Sequence, residues 1–163
     1  MRALTAALVL ALGCSTSVSR STPTPKTAPT DAGFATTADS QSACVDKLIA
    51  PYVAKARATY PEAREKFARG LPTGLHLAVT TQLHDDSGHF EHVFIRVDSI
   101  VKGRVFGWIN NDIYVVRGYR HFMPYDLAED EILDWTITDA NGVEVEGNFV
   151  GTYLDTFQGR PPC

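Results

Sequence analysis

Nothing in this chain spells out a catalytic set. Ser99 and Thr136 lie in no Gly-X-Ser-X-Gly setting, and no glycine-rich phosphate loop occurs. Positive charge is also short. The formal net charge is −4, and from Cys44 onward 12 basic residues face 17 acidic ones, leaving −5. Nucleic acid, which calls for a basic patch, is therefore not an expected partner. Long apolar runs are missing, and none reaches the roughly 18 residues of a membrane-spanning helix. Aromatics are nearly absent from the first part of the chain, where Phe34 stands alone before Tyr52. Cysteine is scarce, with three residues at positions 14, 44 and 163. What remains is ordinary for one globular domain: 163 residues, 44% of them hydrophobic.

The N-terminus reads as an address. Arg2 supplies a short positive region, and Ala3 to Leu12 is apolar apart from Thr5. That length suits a signal-peptide core over residues 1–13. Ala11-Leu12-Gly13-Cys14 resembles the bacterial lipobox, with the leucine one place nearer the cysteine than usual. The resemblance implies cleavage before Cys14 and acylation of that residue, a firm anchor when several chains are attached. The expectation is a lipid-anchored protein of the bacterial cell envelope, and Ser15 after the cysteine favours the outer membrane. Residues 14–43 are rich in Ser, Thr, Pro and Ala. Such a composition cannot bury enough apolar surface to offset its ordering entropy, so a disordered tether is expected.

With Cys14 lipidated, Cys44 and Cys163 remain at the two ends of the expected domain, 44–163. In an oxidising compartment they are candidates for one intramolecular disulfide, with free thiols or an intermolecular bridge as alternatives.

Within the domain the hydrophobic period changes once. Val45, Leu48, Ile49, Tyr52, Val53 and Ala56 recur at helical spacing. Pro51 predicts a break or kink, and Pro61 the first turn of a second helix that stops at Gly70. Lys55, Arg57, Arg64, Lys66 and Arg69 read as a solvated basic face. From Leu75 the pattern alternates. Strands are expected at Leu75–Leu83, Phe90–Val101, Arg104–Ile109, within Arg120–Leu127, at Ile132–Thr138 and at Phe149–Phe157. Turns are expected at 84–89, Lys102-Gly103, Asn110-Asn111 and Asn141-Gly142. Gly107 inside a strand predicts a bulge or a close backbone approach. The expected fold is α+β, with N-terminal helices packed on a curved, mainly antiparallel sheet.

Three groups of residues invite a functional reading. His84, Asp85, Asp86, His89, Glu91 and His92 crowd one hairpin, and imidazoles with carboxylates are ligands for zinc or a similar ion. On a strand, however, His89 and Glu91 share one face and His92 takes the other. A solvated turn is the expected state, with His84, His89 and His92 as weak metal candidates. Asp134-Trp135 offers either a recognition anchor or a core tryptophan beside a carboxylate that caps a turn or receives Arg96, Arg104 or Arg120. The core reading is preferred. Asp126, Glu129, Asp130, Glu131 and Asp134 form an acidic run without acid/base pairing.

Some of these residues carry a resemblance. Glu91 to Val97, Ile100, Gly103 to Ile109, Asp126 to Trp135 and Gly147-Asn148-Phe149 are together similar to the YegJ-like bacterial family, a domain of unknown function. Ala54 to Phe67 fits its helix, and Asp134-Trp135 is the sharpest element. The family implies a fold and brings no settled activity. The expectation is an envelope lipoprotein without cofactor, acting as a non-catalytic binding or interaction module toward an envelope protein. The alternatives are a metal-binding or enzymatic domain using the 84–92 hairpin, and an immunity-like protein.

Overall fold

A computed structural model describes residues 37–157 and 162–163. The expected signal peptide, the lipid site at Cys14 and most of the tether lie outside the described residues. No described helix is long and apolar enough to cross a membrane.

The order of elements is α1 (Thr37–Arg69), β1 (His76–His84), β2 (Phe90–Val101), β3 (Arg104–Ile109), β4 (Pro124–Ala128), a 3-10 turn (Glu129–Glu131), β5 (Asp134–Thr138), β6 (Glu144–Gly147) and α2 (Phe149–Asp155). The strands form one open sheet in the order β4-β3-β2-β1-β5-β6. Every neighbouring pair is antiparallel. The fold is α+β.

Three expectations are corrected. The first two helices are one, and both Pro51 and Pro61 lie inside it. Each proline removes an N–H and frees the carbonyl four residues earlier. Both sit on the exposed side, where water can take that carbonyl, while Ile49, Ala56, Tyr60 and Ala63 hold the other side in the core. The helix also begins at Thr37, so the expected tether boundary at 43 falls within it. Finally, Phe149 to Phe157 is not a strand, because α2 occupies Phe149–Asp155. Gly147 at φ 89° and Asn148 at φ 56° turn the chain out of the sheet. Val150, Tyr153 and Leu154, at helical spacing, then pack against Val45, Ile49, Tyr52 and Val53 of α1.

The sheet has to curl. Glu131 O accepts a hydrogen bond from Thr81 Oγ1 at 3.2 Å. By register, Ala128 pairs with Arg104, which pairs with Val101, whereas Thr81 pairs with Val93. In a flat sheet these steps would put Ala128 about 30 Å from Thr81. Ala128 to Glu131 spans about 10 Å at most. The β4 edge is therefore folded over the core. A register shift between Val97 and Ser99 marks the bend in β2. Opposite it lies Gly107, where a Cβ would collide with the Arg96 carbonyl.

The concave face carries Leu77, Val79, Leu83, Val93, Ile95, Val105, Ile109, Leu127, Trp135 and Ile137, all buried. It receives Ala56, Tyr60 and Ala63 from α1. Where α1 does not reach, the β3–β4 loop closes the core with Val116, flanked by Ile113, Tyr119 and Met123. The expected basic face of α1 is largely docked. Arg57 donates to the carbonyls of Ile132 and Asp130, at 2.8 and 2.9 Å. Arg64 pairs with Glu129 at 2.8 Å, and Lys66 with Glu146 at 2.5 Å.

Cys44 and Cys163 are joined in a disulfide across a sequence separation of 119. It ties the chain's last residue to α1. Replacing both with serine is expected to lower stability by up to about 4 to 5 kcal/mol through the lost loop closure. Urea unfolding of the oxidised protein against the Cys44→Ser/Cys163→Ser variant measures it. Equal midpoints would show that the bond contributes nothing.

Candidate functional site

Asp134 and Trp135 sit at the start of β5, where alternation sends neighbouring side chains to opposite faces. Trp135 is 2% exposed and Asp134 1%. The indole N–H is shared between the Ala56 carbonyl and Thr59 Oγ1 of α1, both at 3.1 Å. Asp134 Oδ1 accepts from the N–H of Trp135 at 2.8 Å, and Oδ2 from that of Val150 at 2.6 Å. The second bond caps the start of α2, whose own N-cap residue Asn148 makes no side-chain cap bond. Burial pushes the Asp134 carboxyl above the ordinary carboxylate range, and the N–H groups of Val150 and Trp135 act in the opposite direction. Asp134 meets backbone N–H groups where the sequence reading also allowed Arg96, Arg104 or Arg120.

The exit residues lock onto the same tryptophan. The Asn148 N–H donates to the Trp135 carbonyl at 2.8 Å. A Cβ on Gly147 would strike that carbonyl. Phe149 meets the Trp135 ring edge-on at 5.9 Å between centroids, with Lys55 Nζ 4.5 Å from its own ring centre. Asn148 is buried and its amide donates to Glu144. Asp134, Trp135, Gly147, Asn148 and Phe149 thus form one interlocked joint between sheet, α1 and α2. Asp134 and Trp135 have almost no surface to offer a partner. Asp134→Asn replaces one carboxylate acceptor with a donor facing a backbone N–H. It is expected to cost about 1 to 3 kcal/mol, read from the urea midpoint. A variant as stable as the parent would remove the capping role.

The histidine-rich hairpin is used differently. Two of its carboxylates, Glu91 and Asp85, accept backbone N–H groups of the β3–β4 loop. Glu91 receives Tyr114 and Val115, the latter at 2.9 Å, and Val116 at 3.3 Å. Asp85 Oδ2 receives Arg117 at 3.1 Å, while Oδ1 receives Ser87 and His89 within its own turn. Burial works against the Asp85 carboxylate, but the bonds from Arg117, His89 and Ser87 win and hold it below the usual carboxylate range. His89 Nδ1 lies 3.1 Å from Asp85 Oδ2, and His84 Nε2 3.1 Å from Gln82 Oε1. His92 stands opposite Gln82 on the neighbouring strand, and the buried Nε2 atoms of both lack a hydrogen-bond partner. No group of three or more metal-ligating side chains converges among the described residues.

Burial lowers the His92 pKa from its ordinary 6.5, with Asp46 opposing the shift and His84 adding to it. The folded state therefore holds His92 neutral where the unfolded chain takes up a proton. That contribution to stability is full above about pH 6.5 and is lost as pH falls below it. His92→Gln should flatten the decline in urea midpoint between pH 7.5 and 5.5. An unchanged decline would mean that His92 does not drive it.

Sequence reasoning passed over the convex face. Arg96, Trp108 and Pro124 are in register across β2, β3 and β4. Arg96 also donates to the His76 ring of β1 at 3.1 Å. Trp108 is 46% and Phe94 37% exposed. The signal was available: Trp108 alternates with Val105, Gly107 and Ile109, which face the core. Comparison with family models, with characterised proteins and with solved structures returns no match. The resemblance to the YegJ-like family rests on the motif residues alone.

Proposed function

We propose that this chain is a non-catalytic binding module of the bacterial envelope, anchored by lipid on Cys14 and carrying a YegJ-like domain. Its binding surface is the convex sheet face around Trp108 and Phe94, and its partner is another envelope protein. The observation that carries this reading is an exposed tryptophan on β3, next to the β4 edge of the sheet, flanked by Arg96 and Pro124. Trp and Arg are the residues most enriched among strong contributors to protein interfaces. Strand-borne side chains are already ordered, so little entropy is lost when a partner covers them. The groups that suggested chemistry support the same reading. Asp85, Glu91 and Asp134 are spent on backbone N–H groups.

Two arms test the reading in cells making the full chain. A photo-crosslinking residue at position 108 or 94 is expected to give one discrete adduct with an envelope protein, and the same probe at Lys102, in the β2–β3 turn, none. Metabolic labelling with a palmitate analogue is expected to mark the chain, and Cys14→Ser to abolish the label. An envelope-located protein that gives no adduct from 108 or 94 would overturn the binding surface. An unlabelled parent, or a label that persists in Cys14→Ser, would overturn the lipid anchor.

A further inference from the structure

The β3–β4 loop, residues 110–123, has an outer side that the core does not use. Tyr114 is 84% exposed, Phe122 68% and Val115 51%. Arg117 and Arg120 are exposed beside them, and neither is in an ion pair among the described residues. The loop is fixed where it stands, because Glu91 and Asp85 hold four consecutive N–H groups, Tyr114 to Arg117. Phe122 is held at φ 59°, a left-handed conformation that an aromatic residue rarely adopts. Its N–H donates to the Ile109 carbonyl at 2.8 Å, and that of Met123 to Arg120 at 3.1 Å.

Position supplies the second line of argument. Trp135 meets Ala56 and pairs with Val79, while Lys66 meets Glu146, which pairs with Ile137 beside Leu77. Helix α1 therefore runs antiparallel to β1, and its N-terminal half points toward the 85–89 hairpin. The 110–123 loop is bonded to that hairpin. The apolar crest and the point where the chain arrives from Cys14 are thus at one end of the molecule.

We infer that Tyr114, Val115 and Phe122, with Arg117 and Arg120, form a membrane-seating surface that docks on the headgroup boundary of an anionic bilayer. Aromatic side chains suit that boundary, and exposed arginines complement lipid phosphates. The seat would set how the anchored domain faces the membrane and leave the convex face free for its partner. The argument from position rests on the lipid-anchor reading; exposure and charge stand without it.

The test uses the chain from Ser15 onward, without the signal peptide and Cys14, so that neither an apolar leader nor a lipid contributes, and flotation with vesicles of phosphatidylcholine alone or with 30% phosphatidylglycerol. Binding to the anionic vesicles is expected, weakened in 0.5 M salt. Arg117→Gln/Arg120→Gln should weaken it roughly tenfold or more, and Tyr114→Ser/Phe122→Asn should reduce it without lowering the urea midpoint. Trp108→Ala should leave it intact. No binding, equal binding to neutral vesicles, or loop variants that float like the parent would overturn the inference. Such a failure would leave the crosslink from position 108 untouched, so the two readings fail separately.

Discussion

An indole buried in a protein has one polar atom to satisfy, and at Trp135 the acceptor is on another element. The N–H reaches the Ala56 carbonyl and Thr59 of α1, and this decides where the helix crosses the sheet. The carbonyl of the same residue takes the Asn148 N–H, and its neighbour Asp134 caps α2. Helix, sheet and final helix therefore meet at one dipeptide. An unsatisfied buried polar group costs about 1 to 3 kcal/mol, so displacing one element leaves unpaired groups on the other two. The disulfide reinforces the joint from outside, since it binds the end of the chain to the same α1 that α2 packs against.

Four of the acidic residues follow one physical rule. Asp85, Glu91, Asp134 and Asp139 each accept backbone N–H groups from turns, loops or helix starts. A turn or helix start points several N–H groups the same way, and a carboxylate, with two oxygens, can serve several at once. This explains how a long loop between β3 and β4 holds a fixed course without regular structure. It also explains why imidazoles and carboxylates crowded in sequence do not add up to a metal site. Asp85 and Glu91 are turned toward peptide groups, while His89 stays with Asp85 and His84 with Gln82.

Much of the sheet was legible because its signals are local. Phe90–Val101 and Arg104–Ile109 came out with their observed ends, since alternation and the Lys102-Gly103 turn bound them on both sides. Asp139 and Gly142 at φ 81° make the hairpin that Asn141-Gly142 announced. The failures came where a distant partner decides. Pro51 and Pro61 break an isolated helix, but packing along the opposite side of α1 outweighs two missing bonds. Phe149 to Phe157 has the composition of a strand, and its helical course depends on distant partners: the carboxylate of Asp134, 16 positions earlier, and the α1 residues it packs against. The same limit governs the site. The motif Asp134-Trp135 stood out in sequence because its role is structural and specific. Trp108 looked like any strand residue until the register showed which face it occupied.

The surface aromatics differ in what holds them. Trp108 and Phe94 lie on strands in ordinary extended backbone, so their exposure carries no conformational cost. Phe122 is another matter. A left-handed φ on a bulky residue costs of order 1 kcal/mol or more, and asparagine or glycine would relieve it. The ring gains little burial in return at 68% exposed, and its main contact is the His121 ring stacked at 3.9 Å. Two backbone bonds on either side keep the strained turn in place. Folding alone gives no reason to put phenylalanine there. An apolar surface that waits outside the protein does.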